Sequence, residues 1–213
     1  MDKRTLTLTM DNLAFERNDR PLFSQLHCHL DAGEMLQVRG ANGSGKSTLL
    51  RILAGLLEPQ QGIISWNGKS ILKQRDLYQQ QLQYIGHQSG IKNYLTVHEN
   101  IKLHSALSAN SLNANQIDTI LQKINLSHLR HTQALHLSAG QLRRLSLTRL
   151  LFNSAPLWIL DEPATALDSD GQQFLTTLLQ QHLTNGGMAV LATHQQLTVT
   201  ENMKNIFLGG QHA

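Results

Sequence analysis

A chain of 213 residues is long enough to bury a substantial core, and its length suits one large or two small domains. The formal charge is only +3, from 18 Lys and Arg against 15 Asp and Glu, and the basic residues form no run like those of nucleic-acid tails. Cys28 is the only cysteine, which rules out an intrachain disulfide and favours a reducing compartment. The opening MDKRTLTLTMDNLAF holds no apolar core of the signal-peptide type. Nowhere do about 18 or more apolar residues run together, as a membrane-crossing helix requires. Membrane association would therefore go through a partner.

In chain order, TLTLTM alternates as a strand does, and LAFERNDRPLF reads as a second strand, a turn and a return. EMLQVRG is a short strand leading into a glycine-rich loop, and KSTLLRILAGLL after it has helical periodicity. EPQQG is a turn, IISW a strand, NGK a further turn and LQYIGHQ again strand-like. TVHEN opens a helix with a capping box, Thr96 as N-cap and Glu99 three residues on. Residues 102 to 132 are polar and expected to be mostly helical. PLWILDEP is a short buried strand ending in two carboxylates; a helix to about Leu183, the strand MAVLATH and the strand KNIFLG follow. No internal repeat or low-complexity segment interrupts the pattern. Strands alternating with helices predict an α/β fold with a mainly parallel sheet.

Gly40 to Ser47 match the G-x-x-x-x-G-K-[ST] phosphate loop. Its glycines let the backbone curl so that successive N–H groups point at one phosphate chain. The expected nucleotide contacts are Gly40, Ala41, Asn42, Gly43, Ser44, Gly45, Lys46, Ser47 and Thr48. Lys46 reaches the β- and γ-phosphates in such a loop, and the Ser47 hydroxyl ligates Mg²⁺. A chance glycine turn would lack the strand before the loop and the helix after it. Asp161, ending an apolar strand, is a candidate Mg²⁺ ligand, and Glu162 is placed to orient or deprotonate an attacking water. Gln88 and His194 end two further strands, where an open α/β sheet places its ligands. Gln88 is a candidate Mg²⁺ ligand and γ-phosphate sensor, His194 a hydrogen-bond donor to that phosphate.

A second anion site is suggested by LSAGQLRRLSLTRL, Leu137 to Leu150, where Ser, Gly and Gln precede an amphipathic run. A helix N-terminus presents N–H groups and a partial positive charge of roughly half a unit. The HCH triplet at 27–29 invites a metal or haem reading. Alternation places His27 and His29 on one face and Cys28 on the other, and no second ligand pair has suitable spacing, so an ordinary strand is expected.

The phosphate loop, Gln88, LSAGQ, LDEP, ALD ending at Asp168, and His194 occur in an order that resembles the ATP-binding-cassette ATPases over about residues 5 to 208. That resemblance implies a P-loop NTPase fold with a RecA-like core, an N-terminal antiparallel β lobe and a small helical subdomain near residues 90 to 150, all in one nucleotide-binding domain. It implies ATP and Mg²⁺ as ligands, with Glu162, His194 and Lys46 as catalytic groups. It also implies a head-to-tail homodimer in which Ser138, Gly140 and Gln141 bind the ATP held by the other copy, with Asp168 at the interface. Ala139 departs from the common LSGGQ. Cassette ATPases stack adenine on an aromatic residue in the first hairpin; here Arg17 holds that position, with Phe15 two residues earlier. A guanidinium plane can stack on a base, so Arg17 is the expected substitute.

YIGHQSGIKNYLTVHENI is similar to the corresponding segment of the CcmA ATPases of bacterial cytochrome c maturation. The resemblance implies a peripheral subunit on the cytoplasmic face of the inner membrane, paired with a CcmB-type permease and working with further cytochrome c maturation proteins. It would energise haem export or release of a haem-loaded chaperone. The alternatives are the ATPase of another small exporter, of the lipoprotein-release or division type, and a nucleotide-binding switch without turnover, against which Glu162 argues. A nucleic-acid partner is disfavoured by the modest charge.

Overall fold

In the computed structural model, which describes residues 6–108, 110–194 and 202–209, the alternating segments at the start of the chain form one bulged hairpin. β1 (Thr7–Arg17) and β2 (Arg20–Asp31) pair antiparallel across the turn Asn18–Asp19, where φ is 52° and 56°. Two positive φ values suit the right-handed twist of the flanking strands, and Asn and Asp tolerate them. The expected pair of strands, TLTLTM and LAFER, is corrected to a single strand. Asn12, at φ 50°, marks a break in register between Met10 and Leu13 that bends β1 without ending it. Thr5 lies outside the described residues.

β3 (Met35–Gly40) and α1 (Lys46–Leu53) flank the glycine loop. The helix is shorter than its periodicity suggests, because Gly55 at φ 67° turns the chain two residues past its end. β4 (Gln61–Trp66) and β5 (Lys69–Ser70) form a hairpin through Asn67–Gly68, and α2 (Arg75–Gln79) precedes β6 (Leu82–Ile85). β5 and α2 are too short to leave a periodic signal. The antiparallel sheet has the order β2-β1-β4-β5.

Downstream come α3 (Val97–Leu107), α4 (Ala114–Lys123), α5 (Ala139–Leu147), α6 (Arg149–Phe152), β7 (Leu157–Asp161), α7 (Ser169–Thr184), β8 (Met188–Ala192) and β9 (Met203–Leu208). The second sheet has the order β6-β7-β8-β3-β9, with β3 parallel to β8 and β9 and β7 parallel to β8. Every residue of β7 and β8 is buried, which explains their unbroken apolar runs.

The described chain divides into two compact units. One is built from the residues up to Tyr84, Ala155–Glu162 and the residues from Leu179 onwards. Its core joins both sheets to α1 through Leu30, Leu36, Val38, Leu49, Ile159 and Val190. The other comprises Ile85–Ser154 and Pro163–Leu178 and has its own core of Val97, Ile101, Ile117, Leu121, Ala134 and Leu145. Three of its helices begin with reciprocal capping boxes, Thr96 with Glu99, Asn113 with Gln116 and Ser138 with Gln141. The stretch read as mostly helical is broken more often than expected. Among the described residues it holds, beyond α4, one 3₁₀ turn at Ser127–Leu129, and a second follows it at Ala134–His136.

Candidate nucleotide-binding site

β3 carries the chain to Gly40 at the carboxyl end of the parallel sheet, and the loop returns into α1 at Lys46. Gly40 has φ 150°, and a Cβ there would lie 2.4 Å from the Leu208 carbonyl oxygen and 2.5 Å from Ser44 Oγ. Both the backbone angle and the space reject a side chain. α1 starts at Gly45 with no side-chain cap, unlike α3, α4 and α5. Its first N–H groups lie where an anion binds best. Ser44 Oγ is buried without a hydrogen-bond partner among the described residues. Lys46 is buried, and its Nζ donates to the carbonyls of Gly40 at 2.8 Å and Ala41 at 3.0 Å. Ser47 and Thr48 follow in the first turn of α1, both half-buried.

The neighbouring strands bring the other polar groups of this unit to the same edge. Asp161 is the last residue of β7 and 1% exposed. Glu162 follows at φ 50°, its N–H donating to the Ala192 carbonyl at 2.8 Å. That backbone geometry is uncommon for a residue with a side chain, and such angles cluster at functional sites. His194 Nε2 lies 3.2 Å from Glu162 Oε1, 3.1 Å from Lys46 Nζ and 3.0 Å from Asn42 Oδ1. One ring nitrogen accepts from Lys46 when it carries no hydrogen and donates to Glu162 or Asn42 when it does. The imidazole therefore sits between the loop lysine and the carboxylate that follows β7.

Gln88, Ser138, Gly140, Gln141 and Asp168 belong to the second unit. Gln88 is exposed, three residues past the end of β6. Ser138 Oγ accepts from Gln141 N at 3.2 Å, and Gln141 Oε1 accepts from Ser138 N at 2.9 Å. Ser138, Gly140, Gln141, His128, Arg144 and Asp168 line a cavity of about 390 Å³. A Cβ on Gly140 would approach the Ala166 carbonyl oxygen to 2.6 Å, which pins this turn of α5 against the loop that carries Asp168. Asp168 forms an ion pair with Arg144 and accepts from Gly171 N at 3.0 Å. The guanidinium holds its carboxyl below the usual carboxylate range.

Arg17 is exposed at the end of β1, paired in register with Arg20. Phe15 is half-buried and packs on Phe23, ring centroids 6.4 Å apart. His27 and His29 are exposed beside Asp11 and Asp31, each at 2.9 Å, while Cys28 faces the core, as the alternation predicts. Sequence reasoning missed the arginines of α5 and α6. Arg143 donates to the carbonyls of Pro163 and Gly86, and Arg149 to that of Ser89. Arg143, Ser146, Leu147 and Leu150 are all buried at helical spacing, and that pattern would have flagged Arg143 as an inward-facing cation.

A glycine loop between a parallel strand and a helix, with a carboxylate pair at the end of the buried strand two places along the same sheet, defines a P-loop ATPase of the ATP-binding-cassette class. A family model described as ABC transporter matches residues 23–165. The cytochrome c biogenesis ATP-binding export protein CcmA of Haemophilus influenzae is 43% identical over 190 residues, covering 89% of this chain and 90% of that one. The protein of the same name from Nitrosococcus oceani is 43% identical over 199 residues, 93% and 91% of the two chains. A putative ABC transporter ATP-binding protein from Pyrococcus furiosus superposes with TM-score 0.81 at 25% identity, covering 95% and 97%. A dimeric ATP-binding cassette bound to ADP and Pi has the same fold, with TM-score 0.78 at 22% identity and 94% coverage of each chain. The chain belongs to the CcmA family of ABC transporter ATP-binding proteins.

Proposed function

We propose that this chain is the ATP-hydrolysing subunit of a CcmAB-type complex of c-type cytochrome biogenesis. It energises haem export or the release of a haem-loaded chaperone. The observation that carries the reading is the convergence of Lys46 and Glu162 on His194, at the phosphate-loop edge of the sheet. Lys46 leaves the loop carbonyls to meet the β- and γ-phosphates, and the amides of Gly43 to Thr48 cradle the triphosphate. Glu162 orients the water for in-line attack, and His194 donates to the γ-phosphate.

Ser47 and Asp161, with Gln88 proposed from its place just past a strand end, offer hydroxyl, carboxylate and amide oxygens, the hard donor set that suits Mg²⁺. Among the described residues no three or more His, Cys, Asp or Glu gather as a metal site. Bound there, Mg²⁺ neutralises charge on the β- and γ-phosphates. Ser138, Gly140 and Gln141 would serve the ATP of a second copy, with Asp168 at the interface and Arg17 against the adenine. No described helix is long and apolar enough to cross a membrane. By resemblance to the CcmA family, a CcmB-type permease would hold this subunit at the bilayer. Affinity purification of the tagged chain from membranes tests this: a CcmB-type permease should accompany it together with Mg-ATP hydrolysis. Recovery of a lipoprotein-release or division-type permease instead would overturn the pathway.

A further inference from the structure

We infer that Arg143 is a positioning residue for ATP hydrolysis, tying the segment that bears Gln88 to the segment that follows Glu162. Arg143 projects from α5, five residues past the helix cap Ser138, and only 7% of it is exposed. Its Nε donates to the Pro163 carbonyl at 3.2 Å and its Nη1 to the Gly86 carbonyl at 3.3 Å. Pro163 is bonded to Glu162, and Gly86 stands two residues before Gln88. One planar guanidinium thus spans two stretches of backbone 77 positions apart in sequence, taking 86 from 163.

A second arginine holds the other side of Gln88. Arg149 donates from Nη2 to the Ser89 carbonyl at 2.9 Å and from Nε to the Ser146 carbonyl at 3.1 Å. A Cβ on Gly90 would meet Arg149 Nη1 at 3.4 Å, so the backbone passes directly over the guanidinium. Gln88 itself is exposed, yet the carbonyls two residues before it and one after it are both anchored on the helix that begins at Ser138 and its continuation. A buried cation bonded to backbone carbonyls is costly unless the geometry is maintained, because each lost bond leaves desolvated charge. The three segments therefore behave as one body, and a displacement of α5 moves the Gln88 turn and the chain after Glu162 with it. Lysine does not reproduce this arrangement: its ammonium donates from one nitrogen, whereas the guanidinium donates from Nε and Nη1, held apart on one rigid plane.

The inference rests on the ATPase reading above, so its test has one readout that is independent of turnover. Arg143→Lys keeps the charge and loses the bridge. The expected result is a fall in kcat of about tenfold or more, with KM for ATP within about twofold of the parent, since lost positioning acts on the chemical step. Backbone amides of residues 86–90 should exchange hydrogen at least about tenfold faster, while those of β3 and β8 are unchanged. Arg143→Gln serves where the lysine variant does not accumulate. Parental kcat and unchanged exchange at 86–90 would overturn the inference. So would a loss of activity fully accounted for by less folded protein, with parental turnover per folded molecule. A parent chain that hydrolyses no ATP while Arg143→Lys still speeds exchange at 86–90 would overturn the ATPase reading and leave the tie between the segments standing.

Discussion

His194 Nε2 lies 3.1 Å from Lys46 Nζ, although 148 positions separate the two residues in the chain. The sheet order β8-β3 makes this contact, because the strand ending just before His194 runs beside the strand that enters the phosphate loop. Lys46 is thus held inside the loop by two carbonyls and an imidazole, and in the proposed function a triphosphate would replace these acceptors with stronger, charged ones.

Removing the ammonium tests that exchange. Lys46→Ala should weaken ATP binding by about 1.5–3 kcal/mol, or roughly one to two decades, as expected for one charge-assisted contact. Direct titration with a fluorescent ATP analogue measures it. Unchanged affinity would mean that the loop does not hold phosphate through Lys46.

Glu162→Gln leaves shape and hydrogen bonding nearly intact but deletes the carboxylate proposed to act on the attacking water. Turnover should fall by about 10² or more while Mg-ATP binding persists. The variant should also elute as an ATP-dependent dimer, since the closed state is no longer emptied by hydrolysis. Parental hydrolysis rates would remove Glu162 from its assigned role.

Ser138→Arg puts bulk where a second copy's γ-phosphate would approach α5. The monomer should keep parental nucleotide affinity but fail to dimerise in ATP. Mixing it with Lys46→Ala leaves one half-site free of both lesions, so some activity should return. Loss of ATP affinity in monomeric Ser138→Arg would place this helix end in the chain's own site instead. Gly140→Ala is a milder probe of the same turn. Its Cβ must displace the Ala166 carbonyl, 2.6 Å away, and with it the loop carrying Asp168.

Stability should depend on pH through His104. Its Nε2 is buried without a hydrogen-bond partner among the described residues. Burial, with Arg149 and Lys92 facing it, lowers its pKa from 6.5 to about 4. The folded chain therefore prefers the neutral ring, whereas the unfolded chain protonates it near the ordinary value. The contribution is fully present above about pH 6.5 and is lost as pH falls toward 4. Between pH 7.5 and 5 the urea midpoint of the parent should drop by more than that of His104→Gln. Equal drops would mean that another group carries the acid sensitivity.

The phosphate loop, the buried strand ending at Asp161 and the capping box at Thr96 were legible because each is a local pattern. A turn that needs glycine, a strand buried on both faces and a helix start all write their demands within a few neighbouring residues. The β1–β2 hairpin was legible at its turn but not along its length. A bulge such as the one at Asn12 breaks the alternation without breaking the strand.

From its amino-acid sequence alone this protein was determined as a P-loop α/β chain of the ATP-binding-cassette class, with its nucleotide loop and carboxylate pair in place. Only the tertiary structure decided that Glu162 and Lys46 share His194, that Gly140 is clamped by Ala166, and that Arg143 joins Gly86 to Pro163. The division has a physical reason. Backbone conformation is set by steric and hydrogen-bonding preferences over short spans. Distant side chains meet only once burial of apolar strands and helices has chosen which segments lie side by side.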